Sequence, residues 1–285
     1  MITAKFQSVR LGVAMRRLLL AAAMFGVVSG ATAADMPDFL RGSLSAAPVP
    51  TINWQGVYIG AQAGYGSSDE NFSGSNSTML AALLSNNVVE EMGVSRWNLG
   101  LGKNSARAPG YGAFTGYNWQ WDDVVIGVEA SYLHGSFGGK SSAFKALTSG
   151  SALSDGSFHS VSVTSSSAIS ISDMATFRGR AAYSFGCFLP YLFGGLALGN
   201  ANITRSVLVT DAVSATALGV FTPLQPLSAD DAQHNHLIYG YTAGLGVDVN
   251  LVGGLFLRAE WEYIRFTTVV DTNINTVRAG LGYKF

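Results

Sequence analysis

The chain has 285 residues, a formal net charge of -1 and 12% charged residues, beside 34 glycines, 48% hydrophobic and 11% aromatic residues. That charged share is about half the usual quarter, and the near-zero balance removes the electrostatic case for nucleic acid. Beyond the N-terminal stretch no apolar run approaches the ~20 residues of a membrane-spanning helix, so the apolar content has to be placed in some other way.

The N-terminus reads as an export signal. Arg16 and Arg17 precede the apolar stretch Leu18 to Val28, and Ala31 and Ala33 satisfy an A-x-A cleavage pattern. The signal is expected over residues 1–33, with the mature chain starting at Ala34 or Asp35. The apolar stretch is too short to anchor the protein as a spanning helix. Met15 stands where the initiator of such a signal usually stands, so residues 1–14 are a candidate over-extension. N-terminal sequencing of the exported protein tests both expectations. Residues 34–53 then form a short Pro-containing lead-in, expected in the periplasm.

From Trp54 onward a period-two pattern recurs, the mark of a strand with two different faces. The first segment, "WQGVYIGAQAGYG", sets Val57, Ile59, Ala61, Ala63 and Tyr65 against Gly56, Tyr58, Gly60, Gln62 and Gly64. The second, Gly112 to Trp121, carries Tyr117, Trp119 and Trp121 on one side. The third, "VVIGVEASYL", sets Val124, Ile126, Val128, Ala130 and Tyr132 against Gly127, Glu129 and Ser131. In the fourth, Phe177, Ala181 and Tyr183 oppose Arg178 and Arg180. The fifth, Phe188 to Gly199, alternates least clearly.

The sixth places Tyr241, Ala243, Leu245, Val247 and Val249 against Thr242, Gly244, Gly246 and Asp248. In the seventh Leu257, Ala259, Trp261 and Tyr263 oppose Arg258, Glu260 and Glu262. The last sets Val277, Ala279, Leu281, Tyr283 and Phe285 against Thr276, Arg278, Gly280, Gly282 and Lys284. Short turns follow the second, fourth and sixth segments, at Asp122-Asp123, Gly186-Cys187 and Gly253-Gly254. Long polar stretches fill Ser67–Tyr111, His134–Asp173 and Asn200–His236, with a shorter link over Thr267–Asn273.

A charge on a buried face costs several kcal/mol unless it is paired. The polar side carries Glu129, Arg178, Arg180, Asp248, Arg258, Glu260, Glu262, Arg278 and Lys284. A water-soluble sandwich would turn these outward and bury the Tyr, Trp, Val and Leu set. Three features favour a membrane barrel instead. Tyr65, Trp119, Trp121, Tyr132, Tyr183 and Tyr263 stand near segment ends, as an interfacial aromatic girdle would. The polar side mixes both signs with glycine, as a narrow lumen of paired charges would. An export signal without an anchor suits an outer-membrane destination, and a closed barrel leaves no backbone group unpaired in lipid. The expectation is all-β: one eight-stranded antiparallel transmembrane β-barrel over residues 54–285, with short periplasmic turns and long extracellular loops.

The stretches "WQGVYIGAQAGYG", "GYNWQW…VIGVEA", "FRGRAAYSF…LPYLFGGLALG" and "NTVRAGLGYKF" resemble the small porin-like outer-membrane proteins of alpha-proteobacteria, themselves similar to the OmpA transmembrane domain and OmpX. The likeness spans Trp54 to Phe285 apart from the long loops. It implies that Val277, Ala279, Leu281, Tyr283 and Phe285 form a C-terminal signal read by the barrel-assembly machinery. It also implies a surface antigen or envelope-integrity role, or haemin binding through loop histidines such as His134, His159, His234 or His236.

Enzymatic motifs are sparse. There is no G-x-S-x-G elbow or C-x-x-C, and "GLGLGK" lacks the Walker spacing. His234 and His236 could bind a metal, but on a polar loop a solvated pair is the favoured reading. Some outer-membrane lipid A deacylases carry a His and a Ser spaced like His134 and Ser136, yet no orienting acid is evident beside them. Cys187 is the single cysteine and can form no internal disulfide.

Eight strands enclose a space only just filled by side chains, so the lumen charges are expected to pair across the bore. The segment Ser77 to Met92 could form a short amphipathic helix at the barrel mouth, with Met79, Leu80, Leu83, Leu84 and Val88 on one face, or a collapsed loop, and His134–Asp173, rich in Ser, Gly and Thr, is expected to be mobile. The protein is expected to be a non-enzymatic integral outer-membrane protein with a structural or surface role and room for weak small-solute passage. A lipid-modifying hydrolase using His134 and Ser136, or a haemin or ligand receptor, is the alternative. The expected partners are outer-membrane lipids and the assembly machinery, with no nucleic acid, no cofactor, no metal, and an extracellular ligand the sequence does not identify.

Overall fold

The computed structural model describes residues 52–267 and 270–285. The expected signal, residues 1–33, and the lead-in up to Thr51 lie outside the described residues. The alternating segments form strands β1 (Gly56–Asn71), β2 (Lys103–Trp121), β3 (Val124–Thr148), β4 (Phe158–Tyr183) and β5 (Phe188–Ser214). After a two-residue rung, β6 (Thr222–Pro223), come β7 (Leu227–Val252), β8 (Leu255–Phe266) and β9 (Asp271–Lys284). The sheet order is β4-β3-β2-β1-β9-β8-β7-β5, with β4 pairing back onto β5, so eight strands close into a ring and β6 hangs on β5. Every pairing is antiparallel.

Period two fixes which side faces where. Val57, Ile59, Ile126, Val128, Leu192, Leu245, Leu257 and Leu281 are all exposed on the outer wall. Among the described residues, the outward positions from the short turns up to Tyr65, Tyr132, Ala175 and Tyr263 include no charge. The first short turn is a two-residue hairpin, because Trp121 pairs with Val124. Asp122 takes a φ of 52° there, a left-handed conformation that Asp tolerates and two-residue hairpins demand.

The polar stretches expected as long loops are mostly strand. β3 runs on to Thr148 and β4 starts at Phe158, while β5 reaches Ser214 and β7 starts at Leu227. The connections shrink to residues 149–157, 215–226 and 72–102, and His134–Asp173 is largely an ordered ladder rather than a mobile segment. The alternation continues there with its polarity turned round. In β4, Val161, Val163, Ile169 and Ile171 are buried on the inner side and Thr164 and Ser166 are exposed outside, where water replaces lipid. A register shift between Ile171 and Asp173 moves the inward set of β4 from even to odd residue numbers. A one-residue bulge does this at no cost to the pairing beyond it.

The interior has three apolar cores. Trp54, Tyr58, Phe114, Tyr191, Phe193 and Phe256 fill the short-turn end. Leu133, Phe137, Ile171, Met174, Ile264 and Phe266 belong to a second core toward the long connections. Above it the β1–β2 connection folds inward: α1 (Ser77–Leu83) and two 3-10 turns, Val88–Met92 and Val94–Arg96, put Leu80, Leu84, Val89 and Val94 against Val161, Val163, Val207 and Val209 of β4 and β5. The open choice between helix and collapsed loop resolves as a helix with a core of its own.

Candidate functional site

Four arginines and four carboxylates meet inside the ring. β3 supplies Glu129, β4 Arg178 and Arg180, β7 Asp248, β8 Arg258, Glu260 and Glu262, and β9 Arg278. Arg178 donates through Nε to Glu129 at 3.0 Å and through Nη1 and Nη2 to Glu260 at 2.7 and 2.8 Å. Arg258 donates through Nε to Asp248 and through Nη1 to Glu129, each at 2.8 Å. Arg180 reaches Asp248 at 2.7 Å and Arg278 pairs with Glu262. The side chains are 0–2% exposed. Equal numbers of opposite charges and bidentate geometry are the conditions under which buried ions are tolerated.

Aromatic rings complete the cluster; of these the alternation in the sequence places only Tyr58 on the inner face, and Phe114, Tyr191 and Phe193 emerge from the structure. Arg258 lies 3.8 Å from the Phe114 centroid, Arg180 3.9 Å from Tyr191 and Arg178 4.1 Å from Phe193, cation–π contacts that partly replace hydration. The Tyr58 hydroxyl donates to Glu129 at 2.7 Å, the Tyr191 hydroxyl to Glu260 at 2.9 Å and the Thr242 hydroxyl to Glu262 at 2.7 Å.

Lys284 stands outside the network. Its Nζ donates to the Gln55 carbonyl at 3.3 Å in an exposed setting. It is the last strand residue, at the rim, and among the described residues no carboxylate lies within ion-pair distance of it. The C-terminal positions form the seam: Ala279 pairs with Ala63, Leu281 with Ala61 and Tyr283 with Ile59. The Phe285 amide donates to the Val57 carbonyl at 2.9 Å. Tyr65, Trp119, Trp121, Tyr132 and Tyr183 are exposed on the outer wall. Tyr263 is half-buried and its hydroxyl donates to Asn273 at 2.9 Å.

His134 also faces outward, and tertiary structure supplies the acid its sequence neighbourhood lacks. His134 Nδ1 lies 2.8 Å from Asp173 Oδ1, 39 residues on and directly across the β3–β4 ladder. The Tyr132 and Ser172 hydroxyls donate to the same carboxylate, each at 2.6 Å. Ser136 sits in the bulge between His134 and Phe137, exposed and without a side-chain hydrogen bond.

His159 is buried, with Asp211 at 2.7 Å from Nδ1 and Asp155 at 3.0 Å from Nε2. His234 and His236 lie exposed on β7. His134, His159 and the β7 pair His234 and His236 therefore occupy three separate settings. Cys187 is exposed in the β4–β5 turn.

A closed antiparallel ring with an uncharged apolar outer wall and a charge-paired interior defines an outer-membrane β-barrel protein. The match to the family model "Outer membrane protein beta-barrel domain" covers residues 20–285, and the chain belongs to that family. It is 29% identical to the "31 kDa outer-membrane immunogenic protein" of Brucella melitensis biotype 1, over 95% of this chain and 100% of that one. It is 26% identical to the "22 kDa outer membrane protein" of Rhizobium leguminosarum bv. viciae, over 68% of this chain and 75% of that one. Among solved structures, Neisserial surface protein A aligns over 80% of this chain and 97% of its own at 15% identity, with a TM-score of 0.32. The protein is thus an integral protein of the cell outer membrane, related to outer-membrane proteins of alpha-proteobacteria.

Proposed function

We propose that the protein is a closed, non-conducting and non-enzymatic barrel that carries a stiff β-extension and its folded cap to the cell surface. The observation behind this reading is the filling of the bore in series: an aromatic core, a charge-paired layer and an apolar core. A solute would have to part the pairs and expose ions whose dehydration is costly. The folded mature chain in a planar bilayer is expected to show no single-channel current. Steady, resolvable openings from demonstrably folded barrels would overturn the closed reading.

The extension and cap lie at the end opposite the short turns, the extracellular end in outer-membrane barrels. The relatives named immunogenic support a surface-antigen role for these parts. Antibodies against the β1–β2 connection are expected to label intact cells, and labelling only after permeabilisation would sink this assignment.

One observation favours the hydrolase alternative, the Asp173–His134 contact, since an acid that orients a histidine is part of nucleophile activation. The Ser136 hydroxyl makes no hydrogen bond to that histidine, which supports the non-enzymatic reading. Ser136→Ala is expected to leave the acylation pattern of the outer-membrane lipids unchanged by mass spectrometry, and an acyl chain regained in the variant would establish the enzyme.

A further inference from the structure

We propose that the outer wall of β2, β3 and β4 seats one acyl chain of an outer-leaflet lipid, with the polar head on the His134–Asp173 pair. Small side chains recur on the lipid-facing belt, as at Ala61, Ala63, Ala259 and Ala279, and on β2, β3 and β4 they lie between bulky ones that wall them in. Thr115 pairs with Ala130, which pairs with Phe177, and on the next rung Ala113 pairs with Tyr132, which pairs with Ala175. The small residues floor a groove of about 260 Å³ walled by Ile59, Tyr132 and Phe177. The groove shares Thr115, Ala130 and Phe177 with a second recess of about 520 Å³ nearer the short-turn end. The two adjoin as one channel on the wall of the barrel, and behind the lower recess lie the lumen residues Glu129 and Arg178.

The channel ends upward at a polar group. Tyr132, which walls it, donates its hydroxyl to Asp173, and Asp173 in turn holds His134 Nδ1. A carboxylate on Nδ1 fixes the tautomer and leaves Nε2 without a protein partner. The Tyr111 ring lies 5.3 Å from the His134 ring and its hydroxyl is also unpartnered. A ring nitrogen and a phenol, both without a protein partner, suit a polar head group that hydrogen-bonds to the two together. The groove faces the hydrocarbon layer of the membrane this barrel spans, so its occupant is an acyl chain. Fixed walls and a polar end restrict it to one chain in one orientation, as ligand sites with few placed polar groups do.

The test uses folded protein drawn from its own outer membrane in mild detergent, analysed by native mass spectrometry with extraction of the retained lipid. About one lipid per barrel is expected on the unaltered protein, and about tenfold less retention in Ala130→Trp, whose ring fills the channel while remaining an outward aromatic. Ala175→Phe serves the same purpose should Ala130→Trp fail to fold. His134→Ala is expected to keep the chain but change which head groups are retained. Barrels that emerge bare, or equal retention in the filled variants, would overturn the proposal. So would a retained lipid lacking one acyl chain relative to the bulk membrane, which would make the site hydrolytic.

Discussion

Arg178 on β4 and Glu260 on β8 meet face to face inside the ring, Nη1 to Oε1 at 2.7 Å and Nη2 to Oε2 at 2.8 Å. Two strands, β5 and β7, lie between them on one side and four on the other. The pair is therefore a cross-brace through the bore rather than a rung of a ladder.

Removing one end of that brace leaves a buried charge uncompensated, which typically costs about 3–5 kcal/mol. Arg178→Met is expected to lower the unfolding free energy of the barrel, read from its urea transition, by that margin. The double variant Arg178→Met/Glu260→Met should recover part of the loss, because both charges leave together. A double variant no better than the worse single one would show that the remaining carboxylates, not this pair, set the stability.

The cap is expected to open independently of the barrel. Leu80 and Leu84 are buried against Val161, Val163, Val207 and Val209, and truncating a buried leucine costs about 2–5 kcal/mol. Leu80→Ala should raise amide exchange across Phe72–Leu101 while the gel mobility difference between heated and unheated barrel persists. Unchanged exchange in that segment would mean the cap draws its stability from elsewhere.

At the tip of the extension His159 is gripped by two carboxylates, Asp211 of β5 and Asp155 of the β3–β4 connection, beside Ser149. Burial alone would lower its pKa, but the hydrogen bonds and charges of Asp211 and Asp155 more than reverse this, so it is raised. Such a group stabilises fully below the unfolded-state value of about 6.5, and the contribution fades as pH rises through the raised folded value. Proteolysis within residues 149–157 is accordingly expected to accelerate on passing from mildly acidic to alkaline pH. His159→Gln should cleave faster with a flat profile, whereas a pH-dependent profile in that variant would point to another group.

Phe285 closes the seam through one backbone bond to Val57 and packs edge-on against Tyr283 at 5.1 Å. Its expected role as an assembly signal predicts a split between two measurements. Deleting Phe285 should sharply reduce folded barrel in cells yet leave spontaneous folding into detergent micelles nearly intact. Equal loss in both would make it a structural residue only.

The alternating residues were enough to read a barrel and to tell its wall from its lumen, since side-chain facing depends only on the position of a residue in its own strand. Glu129, Arg178 and Arg258 could be placed inside because a charge on the lipid face is penalised locally, whatever its partner. The extension escaped notice because Ser162, Thr164 and Ser166 face water, so the contrast between faces weakens and the inward Val161, Val163, Ile169 and Ile171 alternate in the opposite phase to the segments below. Partner choice belonged to the tertiary structure. Asp173 reaches His134 from 39 residues away and Glu260 reaches Arg178 from 82 residues away, while Lys284 is carried to the rim, where it donates to the Gln55 carbonyl instead of joining the lumen pairs. Strand register and ring closure set those distances, and both arise from pairings between segments that no local pattern encodes.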